Sequence, residues 1–359
     1  MEKLKNIFDH HFISMLGQSL SKHSKSTFDI DHFENIVFQK DWNQLEFKQR
    51  VRRISTAMYE TLPKEYEDAL KVLHEVAPHF EGLAGIIFPD YVELYGRNDW
   101  DLSMKALEEF TKFSTSEFAI RPFLLMDEKK VLEQVFIWMK SQNEHVRRFA
   151  SEGCRPKLPW GQSVPSFKKN PFPLIPMLEN LIEDESIYVR KSVANHLNDI
   201  SKTHPHIIID LIKKWLGKNE RTDWILRHAS RTLLKQGNKD VLQLFGYETS
   251  EFIHVDELNL STKSITIGDQ LHFCFTITTD STTKIRLEYA IDYVKKNGKR
   301  NKKTFKISES TINQGHSKKY DKRQSFKNMT TRTHYPGLHT LSIIVNGAVK
   351  NSINFNLRK

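Results

Sequence analysis

The chain has 359 residues, of which 38% are hydrophobic, and a formal net charge of +10. This length and composition predict a globular protein of two or three domains with real hydrophobic cores. No apolar run approaches the ~20 residues that span a bilayer, and the first residues lack a signal-peptide block, so we expect a cytosolic protein without a membrane partner. The two cysteines, Cys154 and Cys274, fall in different predicted domains, which argues against a disulfide framework and a cysteine metal site.

Residues 1–247 have the pattern of a helical domain. Apolar residues recur at three-and-four spacing, as in Phe47, Val51 and Ile54, and this predicts amphipathic helices. Five prolines between Lys157 and Pro176 exclude a continuous helix there, since proline lacks the amide donor and clashes with the preceding turn. The sequence therefore predicts a long loop in this region.

Three segments of the helical region resemble one another. The run H-V-R-R-F-A-S-E-G from His145 is followed by similar segments at Tyr188–Ala194 and Trp224–Ser230, at intervals of about 36 to 43 residues. A period near 40 with two helices per unit is typical of HEAT-type repeats, which stack helix pairs into a solenoid with a concave surface.

Residues 248–359 have the pattern of a β domain. Leu271, Phe273, Phe275 and Ile277 alternate with polar residues, and turn signals such as Asn346-Gly347 separate short β-rich runs. The predicted strands are 252–260, 264–267, 271–278, 284–294, 302–308 and 338–345. Six or seven such strands predict an immunoglobulin-like sandwich, although the cysteine pair of an antibody domain is lacking.

The formal charge lies entirely in this β domain. Residues 251–359 contain 19 Lys and Arg against 9 Asp and Glu, whereas the rest of the chain is balanced. Twelve of the basic residues lie between Lys295 and Lys327, which we assign to a hairpin and the loop after it. A basic domain beside a neutral one favours a polyanionic partner, most simply nucleic acid, over a charge that only aids solubility.

Two strings of the helical region resemble a known family. They are S-E-F-A-I-R-P-F at Ser116–Phe123 and S-E-G-C-R-P-K-L-P-W at Ser151–Trp160, and they occur with the repeats and a helix ending N-H-L-N-D-I at Ile200. In these features the chain resembles the AlkC branch of the AlkC/AlkD family of HEAT-like-repeat DNA glycosylases. The resemblance covers roughly residues 1–247, and some members of that branch also carry a C-terminal immunoglobulin-like domain.

The resemblance implies a function. It implies a monofunctional glycosylase of base-excision repair that removes N-alkylated, cationic bases such as 3-methyladenine and 3-methylcytosine from duplex DNA and leaves an abasic site. Such an enzyme needs a carboxylate near the anomeric carbon and a polarisable face for the base, but no metal and no cofactor. We expect a monomer that works on DNA in the bacterial cytosol.

Glu117 and Asp199 are the candidate catalytic carboxylates. Glu117 matches the acidic position of the family motif and follows Thr115-Ser116, which can cap a helix, so dipole and capping interactions are its ordinary explanation. Asp199 comes late in a helix, where a negative charge is unfavourable unless a group outside the helix compensates it. Its ordinary explanation is an exposed charge near Lys202.

Trp160 and several basic residues are the candidate DNA-contacting residues. Trp160 either lines the lesion pocket or pins the proline-rich loop. Arg148, Arg147 and Arg155 either bind phosphate or tie neighbouring repeats together; Glu152 is four residues after Arg148 and pairs with it weakly if exposed. In the β domain the predicted DNA contacts are Lys295, Lys296, Lys299, Arg300, Lys302 and Lys303.

The alternative to an enzyme is a non-catalytic HEAT-repeat scaffold that binds nucleic acid or a protein, because repeat solenoids commonly serve as binding modules. In that case Glu117 and Asp199 are ordinary helix charges.

Overall fold

A computed structural model describes residues 3–24, 28–248, 250–329 and 332–359. The α-helices are α1 His10–His23, α2 Ile30–Val37, α3 Phe47–Thr61, α4 Tyr66–Val76, α5 Ile87–Tyr95, α6 Trp100–Phe110, α7 Ile120–Met126, α8 Glu128–Trp138, α9 Glu144–Gly153, α10 Pro165–Lys169, α11 Ile175–Asn180, α12 Ile187–Ser201, α13 Pro205–Trp215, α14 Glu220–Ala229, α15 Arg231–Lys235 and α16 Lys239–Leu244. Short 3-10 turns occur at Leu4–Ile7, Trp42–Gln44, Ala77–His79, Gly82–Ile86 and Phe172–Leu174.

The strands all follow the helices. They are β1 Ile253–Leu260, β2 Ser264–Thr266, β3 Gln270–Thr279, β4 Thr283–Val294, β5 Arg300–Ile312, β6 Ser317–Ser325, β7 Gly337–Val345 and β8 Ala348–Arg358. The predicted fold class, a helical region followed by a β-sandwich, is confirmed. None of the described helices is long and apolar enough to cross a membrane.

The chain forms two compact units. One consists of Met1–His204 and Trp215–Ala229, and the other of Pro205–Lys214 and Ser230–Lys359. The predicted boundary at residues 247 and 248 falls between α16 and β1, where helices give way to strands. In the compact units, however, most of α13 and all of α15 and α16 group with the strands, so the division into 1–247 and 248–359 stays a prediction.

The recurring segments of the sequence become neighbouring helices. They lie on α9, α12 and α14, and α12 packs against both of the others. The equivalent positions Val146, Val189 and Ile225 are all completely buried, because each faces the adjoining helix layer. Side chains cap the first two of these helices: Asn143 accepts from the amide of His145, and Ser186 from that of Tyr188.

The proline-rich stretch is helical in part, so the predicted long loop is wrong. It contains α10, a 3-10 turn and α11. Pro165, Pro173 and Pro176 occupy the first or second position of these elements. Proline is accepted there because the first amides of a helix have no intrahelical partner, and its fixed φ suits the first turn.

The strands form two facing sheets. One has the order β1-β3-β6 and the other β2-β8-β7-β4-β5, and every pairing is antiparallel except β2 with β8. The alternating apolar residues of β3 are buried between the sheets, as predicted. The predicted strand set lacked β6 and β8. The hairpin expected to carry charges of 295–327 is β4–β5, but the loop expected after it contains the strand β6, which carries several of those charges.

The predicted Asn346-Gly347 turn joins β7 and β8. Both residues have positive φ, 48° and 81°, as a tight type I′ hairpin requires. The turn packs against Gly237, in the connection between α15 and α16: a Cβ on Gly347 would lie 2.7 Å from the Gly237 Cα. This close approach joins the short helices to the sandwich within the second unit.

Candidate active site

Glu117 lies in the turn before α7 and is only 6% exposed. Its carboxylate pairs with both terminal nitrogens of Arg148 on α9, with Oε2–Nη1 at 2.8 Å and Oε1–Nη2 at 3.2 Å. Helix capping, part of the ordinary explanation for Glu117, does not occur here, because Ser116 Oγ donates to the Leu107 carbonyl and Thr115 Oγ1 accepts from Arg148. The chain thus orients this carboxylate through a bidentate ion pair.

Arg148 is enclosed by partners of the same site. Its guanidinium lies 5.1 Å from the ring centroid of Tyr188 on α12 and donates to Thr115 at 2.7 Å. Burial lowers the pKa of Arg148, but Glu117 and Glu152 raise it by more, so the pKa lies above its usual value. The guanidinium is therefore a permanent cation beside Glu117, and a contact from Arg148 to DNA phosphate stays a prediction.

Asp199 has the compensating partner that its position late in α12 requires. The side chain is 2% exposed, so the ordinary explanation of an exposed charge is wrong. Arg155, outside the helix, brings Nε and Nη2 to 2.9 Å from Oδ2, and Lys202 donates to Oδ1 at 2.9 Å. The two cations offset the repulsion between the carboxylate and the negative end of the helix dipole.

Glu152 links the two candidate catalytic acids. Its Oε1 lies 2.6 Å from Arg155 Nη1 and 3.8 Å from Arg148 Nη2, and its Oε2 accepts from Ser192 Oγ at 2.6 Å. Because Glu152 is buried, the weak exposed pair expected from the sequence is not what forms. A continuous series of alternating charges instead connects Glu117 to Asp199, which we call the acid–arginine network: Glu117, Arg148, Glu152, Arg155, Asp199 and Lys202.

Trp160 projects into solvent. It is 65% exposed and its φ of 62° lies in the left-handed region, which costs a bulky residue on the order of 1–3 kcal/mol. Its ring lies 6.4 Å from that of Phe47, and its carbonyl accepts a hydrogen bond from Lys48. Since the ring is not buried, the loop-pinning explanation is not supported, and the ring is open to a ligand.

Arg121 holds the segment that carries Trp160. This fully buried side chain of α7 donates from Nε to the Gln162 carbonyl at 2.7 Å and from Nη1 to those of Gly153 and Arg155 at 2.8 Å. Burial lowers its pKa. These bonds fix both ends of the stretch between α9 and Gln162, so Arg121 positions Arg155 and Trp160 together.

Arg147 ties neighbouring helical segments together, which is one of the two roles expected for it from the sequence. Its Nε and Nη2 pair with Asp184 at 2.7 and 3.1 Å, and Nη1 donates to the carbonyls of Ser141 and Gln142. Arg190, at the equivalent place on α12, donates to the carbonyls of Asp184 and Glu185. A phosphate contact by Arg147 remains only a prediction.

A small cavity of about 130 Å³ lies beside Glu117. It is lined by Thr115 and Phe118 on either side of that residue, by Gln162, and by polar residues of α3 and α5. Among these, Arg52 pairs with Asp90 at 3.1 Å and with Glu93 at 2.8 Å. Burial raises the pKa of Asp90 to about 6, although Arg52 opposes the rise.

The predicted basic contacts of the β domain are on its surface. Lys295, Lys296 and Lys299 lie in the turn between β4 and β5, and Arg300, Lys302 and Lys303 are on β5, an edge strand. All six are exposed, and none pairs with an acid among the residues that the structure describes. The edge strand β6 adds exposed cations at Lys318, Lys319 and Arg323. Both edges therefore present positive charge to solvent.

Comparison with known proteins identifies the family. The family model "DNA alkylation repair enzyme" matches residues 48–233, and the model "Uncharacterised protein YhaZ, C-terminal Ig-like domain" matches residues 254–359. The chain belongs to the DNA alkylation repair enzyme family. It is 52% identical to "Uncharacterized protein YhaZ" of Bacillus subtilis (strain 168) over 357 residues, which cover 99% of this chain and 100% of the relative.

A solved structure is similar over the whole length. Pseudomonas fluorescens alkylpurine DNA glycosylase AlkC, bound to DNA containing an abasic site analog, superposes with a TM-score of 0.96 and 37% identity, and the match covers 100% of both chains. The predicted resemblance to the AlkC branch and the immunoglobulin-like character of the C-terminal domain are thereby confirmed.

In this member of the DNA alkylation repair enzyme family, several site residues escaped the sequence analysis. Glu152 was recognisable only as an acid on the same face of α9 as Arg148, because its burial depends on α12. Lys48, Asp90 and Arg52 belong to α3 and α5, far from the motifs in sequence. No local pattern marks them, since only the tertiary fold brings them to Glu117.

Proposed function

We propose that this protein is a DNA glycosylase that hydrolyses the N-glycosidic bond of N-alkylated, cationic bases such as 3-methyladenine and 3-methylcytosine in duplex DNA. The observation that carries the proposal is the acid–arginine network, which holds Glu117 and Asp199 in fixed positions near the segment that exposes Trp160. The family membership and the full-length likeness to an alkylpurine DNA glycosylase support it.

The chemistry requires little from the protein beyond electrostatics and positioning. The bond between C1′ and the base nitrogen breaks with its electron pair going to the base, which becomes neutral, while positive charge develops on the sugar. Water then bonds to C1′ and releases a proton. A carboxylate that is already oriented stabilises the sugar cation without reorganising, and Glu117, held by Arg148, suits that role. An exposed indole offers a face to a cationic base.

The lysines of the site support a hydrolytic, monofunctional reaction. A glycosylase that also cleaves the strand uses an amine to attack C1′. Lys202 instead donates to Asp199 at 2.9 Å, and Lys48 donates to the Trp160 carbonyl. The exposed cations of β4–β6 would bind DNA phosphates and add a salt-dependent share of the affinity.

The decisive experiment is an assay of free bases released from duplex DNA that contains one 3-methyladenine or 3-methylcytosine. We expect release from alkylated but not from unmodified duplexes, with strands that break only after the abasic sites are treated with alkali. Strand cleavage without treatment, or covalent trapping by borohydride, would contradict the monofunctional mechanism. Binding without any base release would instead favour the non-catalytic scaffold.

A further inference from the structure

Trp160 has a strained backbone, which the first turn of α3 contacts in addition to the Arg121 bonds that fix the ends of its segment. Its ring is 65% exposed and has one described aromatic neighbour, Phe47, at the start of α3. The next residue, Lys48, donates from Nζ to the Trp160 carbonyl. The first turn of α3 therefore supplies both the ring contact and the backbone contact, from more than a hundred residues away in sequence.

The same ammonium also reaches the segment of Glu117. Lys48 Nζ lies 4.5 Å from the ring centroid of Phe118, which directly follows Glu117. Burial lowers the pKa of Lys48, while Glu93 and Asp90 act in the opposite direction. Because Arg52 already pairs with both of those acids, the Lys48 ammonium remains directed to the carbonyl and to the Phe118 ring.

We propose that Lys48 is a positioning residue, whose ammonium fixes the backbone of Trp160 relative to the Glu117–Phe118 segment and so sets the indole against the damaged nucleotide. This inference rests on the proposed glycosylase function. Lys48 does not touch the reacting atoms in this role but acts through Trp160. Since the lysine is exposed at the surface, its bond contributes little to global stability, and a variant should fold.

The test combines Lys48→Met, Lys48→Arg and Trp160→Ala. Single-turnover base release should fall roughly three- to tenfold in Lys48→Met, the ratio expected for one lost hydrogen bond, and Lys48→Arg should regain most of it. Adding Lys48→Met to Trp160→Ala should cause no further loss, because the two residues act as one unit. Lys64→Met is the matched control: Lys64 also donates to backbone carbonyls and lies 5.1 Å from a ring, that of Tyr59, and its loss should leave release unchanged.

A second readout does not depend on activity. In protein labelled with 5-fluorotryptophan, the ¹⁹F signal of Trp160 can be assigned by its loss in Trp160→Phe. Lys48→Met should shift or broaden that signal and leave the other tryptophan signals unchanged. Any one of three results would overturn the proposal. These are an unmoved Trp160 signal, an additive loss of activity in the double variant, and a reduced salt dependence of DNA binding in Lys48→Met, which would mark a phosphate contact. Absence of base release in the native protein, with the Trp160 signal still responding, would refute the proposed function alone.

Discussion

Replacing Glu117 with Gln should separate catalysis from stability. The variant keeps the shape of the side chain and one acceptor for Arg148, but it removes the negative charge from a pair whose side chains are only 8% and 13% exposed. Arg148 is left with Glu152 at 3.8 Å as its remaining acid. Breaking a buried pair in this way should cost ~2–4 kcal/mol, because the cation loses its closest compensation and water cannot replace it.

That loss should appear as a melting temperature lower by about 4–16 °C, at about 2–4 °C per kcal/mol for a unit of this size. Base release, measured at a temperature at which the variant is folded, should fall by roughly 10² or more, the scale of one lost electrostatic stabiliser of the transition state. Duplex binding should change little. The measurements are thermal unfolding, single-turnover release of 3-methyladenine, and DNA binding at fixed salt.

The double variant Glu117→Gln/Arg148→Met is the control. Removing the stranded cation should restore much of the thermal stability, since an apolar side chain of similar volume replaces an uncompensated charge. Base release should stay low. Near-native release by Glu117→Gln would exclude Glu117 from catalysis, and recovery of release in the double variant would show that the single variant lost activity through the stranded charge rather than through the missing carboxylate.

Three further predictions follow from exposure and charge. Trp160→Ala should lose about 1–2 kcal/mol of transition-state stabilisation, and Trp160→Phe should keep part of it. The melting temperature should not change, because the ring is exposed. A lower melting temperature with intact activity would favour a structural role. Burial lowers the pKa of His196 from 6.5 to about 3, so its contribution to stability is complete above pH 6.5 and is lost as the pH falls towards 3, by up to ~1.4 kcal/mol per pH unit. In His196→Gln the melting temperature should therefore depend less on pH between pH 7 and 5. Equal pH dependence in the two proteins would refute this. The third prediction concerns four exposed cations of the β domain: Lys295, Lys296, Lys299 and Arg300. Neutralising them should reduce the slope of log K for DNA against log salt concentration by roughly 0.9 for each lost phosphate contact, without altering base preference. An unchanged slope would show that these residues do not bind DNA phosphates.

Truncation is a poorer test of the β domain than these point changes. If the repeats alone stabilised one another, a chain that ends near Tyr247 would fold without the strands. In the structure, α15 and α16 belong to the compact unit of the strands, and Gly237 packs directly against Gly347. Tyr247 itself is 2% exposed. Removing the strands would therefore expose a buried surface as well as remove charge.

The sequence predicted most elements whose apolar residues follow a clear period. The helix predicted to end at Ile200 is α12, which ends one residue later at Ser201, and β4 begins one residue earlier than predicted. The prediction failed at β6, because an edge strand buries little. Of its residues only Tyr320 and Gln324 are buried, and they are four positions apart, so no alternation of apolar and polar residues is visible. The pairing with β3 determines its structure.

The candidate site was likewise predictable only in part from the sequence. The family motifs gave Glu117, Trp160 and Asp199, and the structure shows that the two acids belong to one network of ion pairs. Charge alone could not say which arginines are internal. Arg121 and Arg155 are buried against backbone carbonyls and acids that lie as many as 44 residues away in sequence, and such contacts leave no local signal. A buried arginine and an exposed one have the same appearance in a sequence.

The composition of the acid–arginine network argues that it does more than hold helices together. A buried ion pair seldom stabilises a fold more than well-packed apolar side chains of the same volume, because both charges lose their hydration. The helices α9 and α12 already share a hydrogen bond between Ser192 and Ser151 and another from His196 to the Ser151 carbonyl, and Arg147 ties α9 to Asp184. In the proposed reaction, the charges would add a set of carboxylates that are fixed in place before the substrate binds. Such preorganised charge lowers the barrier to forming a sugar cation, because nothing in the site must reorient as the bond to the base breaks.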